Sequence, residues 1–118
     1  MITFITSLYK SEEYLPTYIS RAKNFSDTLD SLTIEHEFVI VPNDPSDTEK
    51  DQLEALHQLK PKVFKIHPRP REPLYASWSF GASVSAGDIL CSWNVDDNRF
   101  VSVIPEIVSM MDVMNAIH

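Results

Sequence analysis

Three oxygen-bearing side chains follow directly after an apolar segment in the last third of this chain. Residues 89–93 read Ile-Leu-Cys-Ser-Trp, and Asn94, Asp96 and Asp97 come next. Side chains alternate along a strand, so Asn94 and Asp96 can point the same way while Asp97 points to the other side or begins a loop. Such oxygens suit a hard cation, Mg2+ or Mn2+, shared with substrate phosphates. The segment therefore predicts a metal-bound diphosphate or, alternatively, a solvated turn, in which these residues are common.

Strand-like and helix-like segments alternate along the whole chain. Dense β-branched and apolar residues predict strands at 2–8, 37–41, 62–66 and 88–93. Apolar residues at steps of three and four predict helices at 14–32, from 46 up to Pro61, at 74–86 and at 102–117. Ser46 and Glu49 have the spacing of a capping box. Leu53, Leu56 and Leu59 are expected to face the core, and Gly87 is expected to end the third helix.

This order of elements predicts an α/β protein with a mostly parallel sheet and helices on both faces. In such sheets, ligands bind beyond the carboxyl ends of the strands, near the point where the strand order reverses. Four polar segments follow the predicted strands: 7–12, 43–47, 67–71 and 94–99. The proline-rich segment 67–73 is expected to be an irregular loop. All four segments should therefore meet at one rim of the sheet.

Composition narrows the classes of function. The chain has 118 residues, 43% of them apolar, and 17 acidic against 10 basic residues give a net charge of −7. It is long enough for one domain, spanning 1–118, and it has no basic stripe for a nucleic-acid backbone. No segment has the length of a membrane helix or the pattern of a signal peptide, so we expect a cytoplasmic protein. The four histidines lack metal-ligand spacing and are expected to be ordinary surface or loop residues.

The order and spacing of four blocks resemble a known enzyme family. The blocks are Thr-Ser-Leu-Tyr-Lys-Ser-Glu-Glu-Tyr-Leu at 6–15, Val-Ile-Val-Pro-Asn-Asp-Pro-Ser-Asp at 39–47, Leu-Tyr-Ala-Ser-Trp-Ser at 74–79 with Gly81, and Gly-Asp-Ile-Leu at 87–90 followed by Trp-Asn-Val-Asp-Asp at 93–97. Together they look like the nucleotide-sugar half of family 2 glycosyltransferases. The resemblance implies a three-layer, Rossmann-like GT-A fold, the nucleotide-diphospho-sugar transferase fold.

The resemblance implies roles for particular residues. Ser7, Leu8, Tyr9 and Glu12 would line the base and ribose pocket. Asn43 or Asp44 would hydrogen-bond the base, which favours a UDP-sugar as donor. Asn94, Asp96 and Asp97 match the family's D-x-D region, in which Asp96 lies by the ribose or metal and Asp97 binds Mg2+ or Mn2+. Trp78 stands near the place of a family arginine, so either it would stack on the ligand or that contact is lost, and Arg69, Arg71 or Arg99 is a candidate to replace the positive charge.

The resemblance ends after the D-x-D region. No residue matches the acceptor-binding part or the catalytic base, so we expect a truncated fold that lacks the C-terminal acceptor region. Two functions stay open: metal-assisted sugar transfer to an unknown acceptor, or a non-catalytic nucleotide or nucleotide-sugar binding module or remnant. Apolar residues lie around more than one side of the last predicted helix, and a homodimer through that helix is expected.

Overall fold

The computed structural model describes residues 1–93, in which strands and helices alternate. In chain order the elements are β1 (Ile2–Leu8), α1 (Leu15–Ser31), β2 (His36–Pro42), α2 (Asp47–Leu59), β3 (Phe64–Ile66), α3 (Leu74–Ser83) and β4 (Ile89–Ser92). The predicted metal ligands Asn94, Asp96 and Asp97 and the predicted last helix lie outside the described residues. None of the helices in the described part is long and apolar enough to cross a membrane.

The strands form one all-parallel sheet in the order β3-β2-β1-β4. Ile2 pairs with His36 at one end of the central ladder and Leu8 pairs with Pro42 at the other. After β3 the chain returns across the sheet and adds β4 beside β1. The strand order therefore reverses between β1 and β4, which is where such sheets bind ligands.

Helices cover both faces of the sheet, as the sequence predicts. On one face, Phe4, Phe38 and Trp93 pack with α1 and α2 in the main hydrophobic core. On the other face, Ile5, Val39 and Val41 form a smaller core against α3. Strand alternation sends neighbouring residues to opposite cores. The result is a three-layer α/β arrangement.

Two predicted details of the helices are wrong. Leu59 is 61% exposed, whereas Leu53 and Leu56 are each 1% exposed. Leu59 is the last residue of α2, and β3 begins only at Phe64, so the sheet is short beside it. Helix α3 ends at Ser83, and Gly87 has no positive φ. A Cβ at Gly87 would lie 2.8 Å from the Thr3 amide nitrogen, so this glycine allows close approach to β1 and does not cap the helix.

The expectation of ordinary surface histidines is wrong for His36. This residue is 6% exposed, and its Nε2 lies 2.7 Å from the Ser26 hydroxyl. Its Nδ1 lies 2.9 Å from the Ile34 carbonyl oxygen, and Lys60 Nζ donates to Ser26 Oγ at 3.0 Å. These contacts satisfy both ring nitrogens, and they join α1, β2 and the end of α2 in a structural polar network.

Candidate functional site

The candidate site lies where the carboxyl ends of β1 and β2 meet the start of α3. Ser7 Oγ donates to Ser77 Oγ at 2.8 Å, and Asn43 Nδ2 lies 3.0 Å from each of these hydroxyl oxygens. Ser7, Asn43 and Ser77 therefore connect two strand ends to the helix that packs over them. We call residues 7–12, 43–46 and 69–77 the Tyr9 rim.

Asn43 is the buried centre of this rim. It is 3% exposed, and its Nδ2 also lies 3.1 Å from the Leu8 carbonyl oxygen and 3.3 Å from that of Val41. Those two oxygens only accept hydrogen bonds, so they fix the amide nitrogen toward them. The Oδ1 atom of Asn43 has no hydrogen-bond partner within residues 1–93. A buried unpaired acceptor costs about 1–3 kcal/mol, which a donor from water or ligand would recover.

A short turn after β1 carries two exposed residues of the rim, Tyr9 and Lys10. Lys10 has a φ of 50°, in the left-handed region that few non-glycine residues adopt. The Tyr9 amide donates to Ser11 Oγ at 3.2 Å, and the Ser11 amide donates to Glu49 Oε2 at 3.3 Å. The turn is thus tied to α2 and holds Tyr9 and Lys10 at the edge of the sheet.

The predicted capping box is present and also contributes to the rim. Glu49 accepts from the Ser46 amide at 3.1 Å through Oε1, and the Glu49 amide donates to Ser46 Oγ at 3.2 Å. The second carboxylate oxygen of Glu49 accepts from Ser11, and the Ser46 hydroxyl donates to Glu12. Both capping residues therefore also hold the loop that follows β1.

The segment 67–73 is less irregular than predicted. The Arg69 amide donates to the Pro42 carbonyl at 2.8 Å, and the Asp44 amide donates to the Arg69 carbonyl at 2.7 Å. This isolated bridge beside Asn43 extends the β2–β3 pairing beyond the strand ends. The Arg69 guanidinium forms a salt bridge with Glu72 and lies over the Phe80 ring. Arg71, two residues later, instead lies with Cζ 5.2 Å from the centre of the Tyr9 ring.

Two clefts open on the rim, and Tyr9 lines both. The first, of about 490 Å³, lies between the loop after β1 and the start of α2 and is lined by Tyr9, Lys10, Glu12, Glu13, Asp44, Pro45, Ser46 and Glu49. The second, of about 510 Å³, lies beside the start of α3 and is lined by Ser7, Tyr9, Asn43, Arg71, Glu72, Pro73 and Leu74. Each volume is in the range of small-molecule sites.

The two clefts differ in charge. Four carboxylates and one ammonium line the first cleft, which therefore favours hydroxyl and N–H donors over phosphate. In the second, Glu72 is already paired with Arg69, so the charge that remains is the Arg71 guanidinium. An arginine fork recognises phosphate oxygens well. The rim can therefore hold a ligand with a polar neutral end and an anionic end.

The predicted site residues separate into accessible and buried groups. Ser7, Tyr9, Glu12, Asp44 and Arg71 lie along the two clefts, and Asn43 lies in the wall of the second. Leu8 is 1% exposed in the main core, and Trp78 packs against the smaller core on the α3 face. Their side chains stabilise the sheet that carries the site. Sequence reasoning missed Lys10 and Ser77, which carry no motif of their own.

The predicted cation site lies outside the residues that the structure describes. Within residues 1–93, no group of three His, Cys, Asp or Glu side chains is placed to hold a metal ion. The predicted ligands follow Trp93, whose amide donates to the Ile5 carbonyl at 2.9 Å beside the end of β1. They remain a prediction from the sequence.

No protein-family model matches this chain, and no curated protein sequence matches it. The assignment of function therefore depends on the rim itself. Its accessible groups come from three separate loops, and they meet around one aromatic side chain, that of Tyr9.

Proposed function

We propose that this chain binds a nucleotide-diphosphate sugar at the Tyr9 rim and is the donor-binding part of a glycosyltransferase with a GT-A-like fold. The observation that carries the proposal is the meeting of two clefts of unlike charge at Tyr9, beside the point where the strand order reverses. A nucleotide-diphosphate sugar has the matching division into a neutral base and ribose and an anionic diphosphate.

The first cleft suits the nucleoside. Asp44 is exposed there with a φ of 45°, and the hydrogen bond from its amide to Arg69 anchors its backbone. Its carboxylate can accept an N–H from a base, while Glu12 can accept from ribose hydroxyls. Of the two candidates for base recognition, the exposed Asp44 suits direct contact, whereas the buried Asn43 holds the strand ends together. A carboxylate acceptor favours a base with an N–H edge, such as uracil.

The second cleft suits the diphosphate and the sugar. Arg71 can bind phosphate oxygens in a bidentate manner, and Pro73 and Leu74 supply apolar surface beside it. In glycosyl transfer the leaving diphosphate gains negative charge as its bond to the sugar breaks. Mg2+ or Mn2+, when bound by Asn94, Asp96 and Asp97, would stabilise that charge. Arg71 would orient the same diphosphate group from the second cleft.

A second candidate function is nucleotide-sugar binding without transfer. It is favoured because three carboxylates that line the two clefts are already engaged: Glu12 accepts from Ser46, Glu49 from Ser11, and Glu72 from Arg69. A catalytic base must accept a proton from the acceptor hydroxyl, and an engaged carboxylate does so less readily. In this case the chain would bind donors and release no free nucleotide.

Isothermal titration calorimetry with UDP and GDP, each with and without Mn2+, tests the proposal. We expect UDP to bind and the variant Asp44→Gly to weaken it about tenfold through loss of one hydrogen bond to a charged group. Glycine tolerates the positive φ at this position, so the variant removes the carboxylate without backbone strain. Asp51→Ala, at an exposed position of α2, is the matched control and should leave affinity unchanged.

Failure of both UDP and GDP to bind, with or without Mn2+, would overturn the proposal. If UDP binds, release of free UDP from a UDP-sugar separates the two functions. Release supports transfer or hydrolysis, whereas binding without release supports the binding module.

A further inference from the structure

Two cations from different loops flank the same aromatic ring on the rim. Lys10 Nζ lies 5.5 Å from the centre of the Tyr9 ring, and Arg71 Cζ lies 5.2 Å from it. Lys10 belongs to the loop after β1, and Arg71 belongs to the segment that leads into α3. The folded sheet therefore brings together two positive charges that are 61 residues apart in the sequence.

Neither cation is neutralised by a carboxylate within residues 1–93. Three other cations of the described residues are paired: Lys60 with Asp27 and Asp30, Lys65 with Glu37, and, on the rim itself, Arg69 with Glu72. The contrast between Arg69 and Arg71 is informative because they are two residues apart in one loop. Arg69 stabilises its own loop, whereas Arg71 directs its charge toward Tyr9 and the second cleft.

The backbone holds Lys10 in an uncommon conformation. A left-handed conformation costs a non-glycine residue about 1–2 kcal/mol, and it persists where surrounding contacts impose it. Here the hydrogen bonds between Tyr9 and Ser11, and between Ser11 and Glu49, impose it. The backbone of Lys10 is therefore held next to Tyr9.

We propose that Lys10 and Arg71 form a cation pair that binds the diphosphate of the ligand across Tyr9, with no divalent cation needed for binding. The inference rests on the proposed function, since it assigns the diphosphate end of the same ligand. The two side chains supply two positive charges at the boundary between the clefts, where an α- and a β-phosphate would lie. The Tyr9 ring, which both cations approach, supplies an aromatic surface beside them.

The surrounding negative charge makes this pair necessary. The chain carries a net charge of −7, and Glu12, Glu13 and Asp44 line the first cleft. A diphosphate that approaches the rim meets repulsion from these groups, and Lys10 and Arg71 offset it locally. Because both cations are solvent-exposed, their contribution should decrease as ionic strength rises.

The test uses calorimetric titration of the full chain in EDTA with uridine, UMP, UDP and inorganic pyrophosphate. We expect affinity to rise from uridine to UMP to UDP, and pyrophosphate to bind by itself. Lys10→Ala and Arg71→Ala should each weaken UDP about tenfold and leave uridine unchanged. Arg71→Lys should recover part of the loss because it keeps the charge but not the fork. Lys62→Ala, at an exposed position before β3, is the control and should change nothing.

The outcomes separate this inference from the proposed function. If UDP binds in EDTA no more tightly than uridine, or if Lys10→Ala and Arg71→Ala leave UDP affinity unchanged, the cation pair is wrong while nucleotide binding stands. If neither uridine nor UDP binds but pyrophosphate does and both variants weaken it, the cation pair stands and the proposed function fails. Circular dichroism of each variant confirms that the fold is retained.

Discussion

Buried polar groups lie at both ends of the sheet, but the two ends differ in whether these groups have hydrogen-bond partners. At the amino end, Glu37 is fully buried and accepts hydrogen bonds from Thr3 Oγ1, Lys65 Nζ and the Ala86 amide, each at 2.6 Å. We call these four residues the Glu37 cluster. At the carboxyl end, Asn43 Oδ1 has no partner, and Lys10 and Arg71 have no carboxylate partner within residues 1–93.

Polar groups at the amino end serve the fold, whereas polar groups at the carboxyl end are available to a ligand. In the Glu37 cluster every strong donor meets the carboxylate, so the cluster is complete by itself and attaches the segment before β4 to the sheet. Within residues 1–93, the Tyr9 rim has spare hydrogen-bonding and charge capacity, which a water or a ligand can use. Buried polar groups in folded proteins usually have hydrogen-bond partners, so unpartnered groups gathered around clefts support the proposed binding site.

The largest expected loss of stability comes from an acidic side chain at position 43, the buried centre of the rim. Asn43→Asp keeps the shape of the side chain but places a carboxylate against the carbonyl oxygens of Leu8 and Val41, which cannot donate. We expect the free energy of unfolding at pH 7 to fall by about 3 kcal/mol. Burial would raise the pKa of the introduced carboxyl, so the loss should shrink as the pH falls through that raised value.

Urea denaturation at pH 7 and pH 5 measures this effect, with Asn24→Asp on the exposed side of α1 as the control. Equal stability of Asn43→Asp and the parent chain at pH 7 would contradict the buried position of the amide.

The next effect concerns the Glu37 cluster. Burial acts to raise the pKa of Glu37, but hydrogen bonds from Lys65, Thr3 and the Ala86 amide outweigh it and lower the pKa below its ordinary 4.5. A lowered pKa stabilises the fold above pH 4.5, and this contribution is lost as the pH falls through the folded-state pKa. Glu37→Gln should therefore reduce stability by about 2 kcal/mol at pH 7 and much less in acid.

Thermal denaturation from pH 3 to pH 7 gives this profile, and Glu35→Gln, at an exposed neighbouring position, should follow the parent chain. UDP affinity of the folded Glu37→Gln variant should be unchanged, because the cluster lies at the end of the sheet opposite the Tyr9 rim. A tenfold change in that affinity would contradict the division between the two ends.

The smallest effect on stability is expected at Lys60, whose ammonium group is hydrogen-bonded but partly exposed. Partial burial acts to lower the pKa of Lys60, but hydrogen bonds to Asp27 and Asp30 raise it above its ordinary 10.5. The stabilisation is therefore present below pH 10.5 and is lost as the pH rises through the folded-state pKa. Lys60→Met should cost about 0.5–1 kcal/mol at pH 7, since exposed ion pairs contribute little.

Denaturation at low and high salt checks this value, with the exposed Lys23→Met as control. The loss should shrink in high salt, where exposed charges are screened. A loss comparable to that of Glu37→Gln would show that this network is as enclosed as the Glu37 cluster.

Local patterns in the sequence determined most of the fold. Apolar segments and helical spacing predicted every strand and helix of residues 1–93, and their alternation predicted the parallel sheet covered on both faces. The capping box at Ser46 and Glu49 was also predictable, because it depends on residues three apart in one turn. The meeting of the polar loops after β1, β2 and β3 at one rim followed from the parallel strand order.

Only the tertiary structure decided which residues of that rim are available to a ligand. Leu8 and Ser7 are neighbours, yet one packs in the core and the other lies at a cleft. Arg69 and Arg71 look equivalent in sequence, but Glu72 pairs with the first and Tyr9 lies beside the second. Burial and partner choice depend on groups that are distant along the chain, so local patterns cannot reveal them.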